Sequence, residues 1–212
     1  MEDAGFLERD RQTGRYRVSM WLAALGEVAR RGTSLQRIAH PILEALAAAT
    51  GETANLAVLD GNEAVNIEVA ESPQPIMHVG WVGRRLPLHA SAAGKALVAW
   101  KEPREVRALL PSPLPAYTRW TITDPAAFEK ELASTRRRGY ATTWAELAPD
   151  LVAVAAPVRD HRGCVAAAVA ISVPISRADR RRLRQLAEPV VRAAEAVSER
   201  MGYRAVVGAG GV

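Results

Sequence analysis

Two stretches, Leu151–Val158 and Cys164–Val173, constrain this chain more than any other feature. They read Leu-Val-Ala-Val-Ala-Ala-Pro-Val and Cys-Val-Ala-Ala-Ala-Val-Ala-Ile-Ser-Val. Asp160-His161-Arg162-Gly163 supplies the turn between them. Successive residues of a strand point to opposite faces, so a strand apolar at nearly every position is buried on both. The two stretches are therefore expected as central strands of a sheet covered on both sides. Cys164 opens the second and is expected in the core.

Helical and strand patterns surround this pair. Trp21, Leu22, Leu25 and Val28 form one stripe of a helix over 20–31, stopped at Gly32. A second helix spans Ser34 to Thr50, with Pro41 inside it expected to kink it or to fall early in a turn, and Gly51 at its stop. Asp60-Gly61-Asn62 turns a hairpin whose second strand alternates Val65, Ile67 and Val69 with Asn66 and Glu68. Helices follow from about Ala92 to Trp100 and from Pro103 to Leu110, then a Pro-rich loop over 111–123. Thr123-Asp124-Pro125 opens a helix that ends at Gly139. Ser176-Arg177-Ala178-Asp179 resembles a capping box in front of the last helix, and the Gly-rich tail over 204–212 is expected to be disordered. Hairpins joined by helices argue for an α+β domain with a mostly antiparallel sheet flanked by helices, not a doubly wound one.

Composition removes several classes. The 212 residues suit one medium domain with appendages or two small domains. No apolar run reaches the roughly 18–20 residues of a membrane helix, and Met-Glu-Asp-Ala-Gly-Phe-Leu-Glu-Arg is no secretory signal. With Cys164 as the one cysteine no internal disulfide can form, so a reducing cytoplasm is expected. The net charge of +5 comes almost wholly from arginine, since Lys occurs only at 95, 101 and 130. A solvated basic surface is the preferred account, and nucleic acid or an acidic partner the weaker one.

Catalytic patterns are missing. Ser91-Ala92-Ala93-Gly94-Lys95 superficially resembles a phosphate loop, but His89 stands where its first glycine belongs and Ala96 follows the lysine. What remains is a helix start of small residues, whose N–H groups suit a carboxylate, or simple close packing. His40, His78, His89 and His161 lack metal-ligand spacing, and no Gly-x-Ser-x-Gly elbow occurs. No metal, cofactor or catalytic residue is expected. Trp81, Trp120 and Trp144 fall in loops or at strand edges, as walls of an apolar pocket or as scattered core and interface aromatics.

An ordered set of segments resembles one family. Gly5-Phe6-Leu7-Glu8-Arg9-Asp10 with Gly14-Arg15-Tyr16-Arg17-Val18 resembles the wing that ends the winged-helix domain of IclR regulators. Leu86-Pro87-Leu88-His89-Ala90-Ser91-Ala92-Ala93-Gly94-Lys95-Ala96 resembles the family's pocket segment. Arg136-Arg137-Arg138-Gly139-Tyr140-Ala141, Val154-Ala155-Ala156-Pro157-Val158-Arg159-Asp160 and Ile171-Ser172-Val173-Pro174 follow in order. The resemblance implies a wing remnant over 1–19, a linker helix over 20–32 and a GAF-like effector-binding domain over 33–203. The helices that enter the DNA major groove are expected upstream of the wing. It also implies a small organic acid as effector, operator DNA as partner of the full-length protein, a homodimer or tetramer, and no enzymatic activity. The alternative is a small-molecule binder or enzyme on a GAF-like scaffold, unrelated to transcription.

Site residues follow from the same resemblance. Leu88, His89, Ala92 and Ala93 are expected at the pocket through the small-residue helix start. Thr143 and Trp144 are expected as its cap, and Ala153, Ala170 and Ser172 as its strand positions. Ala153, Ala170 and Trp144 imply an aromatic or branched acid in place of a two- or three-carbon one. Arg9, Arg11, Arg15 and Arg17 are expected to touch DNA phosphates without reading sequence.

Overall fold

The structure, a computed structural model, describes residues 7–9, 13–19, 34–71, 74 and 80–204. The expected linker helix over 20–32, Arg11, His78 and residues 205–212 of the tail lie outside the described residues. The chain divides into two units between Arg37 and Ile38. The first contains a hairpin of β1 (Leu7–Arg9) and β2 (Tyr16–Val18), antiparallel, with Leu7 opposite Val18 and Arg9 opposite Tyr16. Arg9 and Arg17 fall on its strands, and Arg15 is exposed beside its turn.

Helix α1 (Leu35–Thr50) buries Ile38, Ala39, Leu43, Leu46 and Ala47 along one stripe. Pro41 removes one backbone donor, yet the helix runs through it. It stops where Gly51 takes φ 76° and donates its N–H to Ala47 O at 2.8 Å, a left-handed cap that a side chain would strain.

The second unit is built on six strands, β3 (Thr53–Asp60), β4 (Glu63–Ala70), β5 (Arg85–Pro87), β6 (Ala141–Trp144), β7 (Leu151–Arg159) and β8 (Val165–Pro174). They lie in the order β5-β4-β3-β8-β7-β6, and every pairing is antiparallel. The expected central strands are β7 and β8, and β8 joins the two hairpins through β3. Helices α2 (Ala92–Val98), α3 (Pro103–Leu109), α4 (Pro125–Arg138) and α5 (Arg180–Arg200) flank the sheet. The domain is thus α+β with an antiparallel sheet, as the pattern requires.

Alternation gives the sheet two different faces. Ala57, Ala141, Ala153, Ala155, Ala168 and Ala170 share one and cluster with α2 through Ala92, Ala93, Ala96 and Leu97. The intervening positions Val152, Val154, Val169 and Ile171 are fully buried on the other, and α5 packs on β7 and β8 with Leu186, Val190 and Val197 in its buried stripe. Methyl side chains let α2 approach the sheet closely. All seven of its residues are buried, and a Cβ on Gly94 would come within 2.5 Å of Leu88 Cα.

Two local expectations are corrected. Cys164 is exposed, because the turn extends through it: Asp160 Oδ1 accepts its N–H at 3.0 Å, and β8 begins at Val165. The cap of α5 is Asp179, whose side chain accepts from Arg182 N, while Ser176 sits in a 3-10 turn over Ile175–Arg177. Pro174 before that turn and the short Asp side chain at the true boundary account for the shift.

Candidate effector-binding site

A narrow cleft opens between the alanine face of the sheet and the start of α2. Cross-strand register assembles its floor. Thr143 on β6 lies opposite Ala153 on β7, and Ala153 lies opposite Ser172 on β8. One repeat further along, Ala170 on β8 lies opposite Asn55 on β3. Ser91, Ala92 and Ala93 form one wall, with Leu86, Leu147 and Leu151 as apolar sides. Six of the expected positions, Ala92, Ala93, Thr143, Ala153, Ala170 and Ser172, therefore meet at one cavity.

The other three are elsewhere. Trp144 follows Thr143 on β6, so the pleat sends it to the opposite side, against Tyr117, Trp120, Pro149 and Ile175. Leu88 is 1% exposed in the core against α2. His89 is equally buried, and its Nε2 donates to Pro115 O at 2.9 Å, which fixes the tautomer. Its ring holds the Pro-rich loop from beneath the pocket.

Asn55, Asn66 and Arg84 are among the lining residues that were not expected from the sequence. Asn55 and Asn66 are buried, joined by a 3.0 Å bond from Asn55 Nδ2 to Asn66 Oδ1. Burial lowers the pKa of the half-buried Arg84 guanidinium from its ordinary value. A legible signal existed: an amide at an inward position of an otherwise apolar strand, as in Thr-Ala-Asn-Leu-Ala-Val, needs a partner or a ligand.

The wall at α2 has a further support. Ser91 caps the helix, accepting from Gly94 N at 3.1 Å and donating to Pro87 O at 2.7 Å. The N–H groups of Ala92 and Ala93 belong to the first turn, so the helix itself supplies them no acceptor. Two residues on, Lys95 is fully buried, and its Nζ meets both carboxylate oxygens of Glu146 at 2.7 Å and Thr142 O at 3.2 Å. Burial pushes the Glu146 carboxyl above the usual carboxylate range, and Lys95 pulls it part of the way back. Glu146 lies between Leu147, which touches the cavity, and Ala145, which adopts φ 55°. Thr118 Oγ1 donates to Ala145 O and Thr121 Oγ1 to Glu146 O, both at 2.6 Å. The pocket wall, the turn after β6 and the Pro-rich loop are thereby one hydrogen-bonded assembly. It explains the lysine that the phosphate-loop pattern could not.

Residues 29–199 match the family described as Bacterial transcriptional regulator IclR C-terminal. The chain belongs to the IclR family. The HTH-type transcriptional regulator XynR of Escherichia coli is 35% identical over 202 residues, covering 95% of this chain and 80% of its own length. The transcriptional repressor IclR of the same organism is 34% identical over 201 residues, covering 93% and 73% respectively. A solved IclR-type regulator from a Silicibacter species superposes with a TM-score of 0.88 at 28% identity, covering 97% of this chain and 81% of the other. This IclR-family chain is thus the effector-binding part of a transcription regulator, not an enzyme. Among its described residues no helix is long and apolar enough to cross a membrane.

Proposed function

We propose that the cleft beneath α2 is where this regulator senses its effector, a small organic acid with an aromatic or branched body. One observation carries the reading: hydroxyls, amides, a guanidinium and first-turn N–H groups converge on a cavity whose lining, among the described residues, holds no acidic side chain. A carboxylate gains from such a set, and a cation does not. The N–H groups of Ala92 and Ala93 receive the acid with the Ser172 hydroxyl, and Ala153, Ala170, Leu86, Leu147 and Leu151 enclose the body. The domain boundaries expected above, a homodimer or tetramer, and contact with operator DNA through the full-length protein belong to the same proposal. Light scattering reporting a monomer at tens of micromolar removes the oligomer from it.

Calorimetric titration with benzoate, isovalerate, pyruvate and glyoxylate tests the reading. Benzoate or isovalerate is expected to bind more tightly than pyruvate or glyoxylate. At 100 times its dissociation constant the better ligand stabilises the fold by about 2.7 kcal/mol, a rise of roughly 5–11 °C in melting temperature. Ala92→Pro is the decisive variant. Proline fits the first helical position, and Ser91 before it already has φ −117° and ψ 144°, the extended geometry proline demands. The fold should survive while one donor disappears and binding is lost. Ser172→Ala should weaken binding by about 1 kcal/mol. Normal binding by a folded Ala92→Pro protein, or pyruvate as the tightest ligand, defeats the assignment.

A further inference from the structure

The cavity has a second polar end. Asn55 on β3 and Asn66 on β4 are 5% and 3% exposed, and both line it. Among the described residues, the bond from Asn55 Nδ2 to Asn66 Oδ1 is the one hydrogen bond their side chains make. A carboxamide offers two donors and an acceptor oxygen with two lone pairs, so this pair is far from saturated. By holding the Asn66 oxygen, Asn55 turns the Asn66 amino group toward remaining partners. The enclosed polar atoms that lack a partner lie elsewhere, at His89 Nδ1 and Thr135 Oγ1, so the unused amide atoms are not sealed off from the cavity.

Arg84 stands beside this pair. Its carbonyl accepts the Asn66 N–H at 3.0 Å, and Gly83 donates to Asn66 O at 2.7 Å. Arg84 is the one ionised side chain among the described residues lining the cavity. Ser172 is on β8 and Asn66 on β4, with β3 between them. Ser172 pairs with Thr53 and Asn66 with Ala57, so their Cα atoms lie two strands across and four residues along, roughly 16 Å apart, and the side chains that both line the cavity shorten that span. A ligand anchored by one acid group near Ser172 can therefore present a second group to Arg84 and Asn66.

We propose that Arg84, Asn66 and Asn55 form a second acid-recognition site in the same cavity, so that the effector is a dicarboxylate. The proposal rests on the reading of the cleft as the effector site. A guanidinium takes a carboxylate through paired, charge-assisted hydrogen bonds, and the Asn66 amino group adds a donor. Asn55 is a positioning residue that acts through Asn66.

Matched probes separate the two readings. Isophthalate and glutarate are titrated calorimetrically against their monomethyl esters, using the full chain and its Arg84→Gln and Asn66→Asp variants, each first checked by thermal melting. Wild type should bind each diacid ten- to a hundredfold more tightly than its ester. Both variants should erase that advantage, weakening each diacid at least tenfold and its ester by much less. Asn66→Asp also sets a negative charge against the second carboxylate and is nearly isosteric, so it serves if Arg84→Gln folds poorly. If esters bind as tightly as diacids, or if the variants weaken both equally, the second site is overturned and the effector-site reading stands. If no carboxylate probe of either kind binds, both fall.

Discussion

Lys95→Met tests how the pocket wall is held. Methionine keeps the length and apolar stem of the lysine and removes its charge. Glu146, whose side chain is 11% exposed, then loses both 2.7 Å contacts and stays in place as an unpaired carboxylate. Breaking one side of a buried pair costs about 3–5 kcal/mol, which in a domain of this size is a fall of roughly 6–20 °C in melting temperature. The loss must depend on pH in a defined direction. Burial already holds the Glu146 carboxyl above its ordinary value of 4.5, and the influence of Lys95 is what lowers it. Without the lysine it rises further. A carboxyl with a raised folded-state pKa favours folding when protonated, and that contribution is lost as pH climbs through the folded value. The gap between variant and wild type should thus be full at pH 8 and narrower at pH 5. Urea denaturation at both pH values measures it. Lys95→Met/Glu146→Leu, which removes both charges, should recover to within about 1 kcal/mol of wild type. A single-variant loss below about 1 kcal/mol at pH 8, or the same gap at both pH values, refutes the argument.

Further outcomes follow from packing and register. Gly94→Ala places a methyl 2.5 Å from Leu88 Cα and 2.6 Å from Leu88 O, both backbone atoms, and should cost at least about 1–3 kcal/mol in urea denaturation. Asp179→Ala should lose about 1 kcal/mol by uncapping α5, with Ser176→Ala close to neutral in the same melts; the reverse order would return the cap to Ser176. Thr143→Val should weaken acid binding in calorimetry, whereas Trp144→Phe should leave it within about twofold; a large effect of the tryptophan change would place its ring at the cavity.

Much of this architecture is legible because it is written with a period of two. The runs that became β7 and β8 declare burial on both faces. Ala153, Ala170, Ser172 and Thr143 meet because antiparallel register is regular. Trp144 shows the sensitivity of such reasoning: a one-residue step along β6 carries it to the other side of the sheet. The Lys95–Glu146 pair was not legible, since its partners are 51 residues apart and no local period links them. Its only local sign is a lysine within Ala-Ala-Gly-Lys-Ala-Leu-Val, where every neighbour is apolar or small. Arg84 was equally silent, and the Asn55 amide signalled a partner without naming it, because joining either residue to the cavity needs the strand order. Cys164 and Ser176 failed at element ends, where one turn more or less decides exposure.

The alanine floor has an evolutionary consequence. Along β7 and β8, alternate residues answer to separate demands: Ala153 and Ala170 bound the cavity, while Val152, Val154 and Ile171 seal the opposite layer. A mutation at an alanine position reshapes the chamber without first disturbing the valine layer. Chemical preference can therefore drift along a lineage while the scaffold stays put, and a designer can retune this receptor by swapping single methyl groups for larger or hydroxylated side chains on one face.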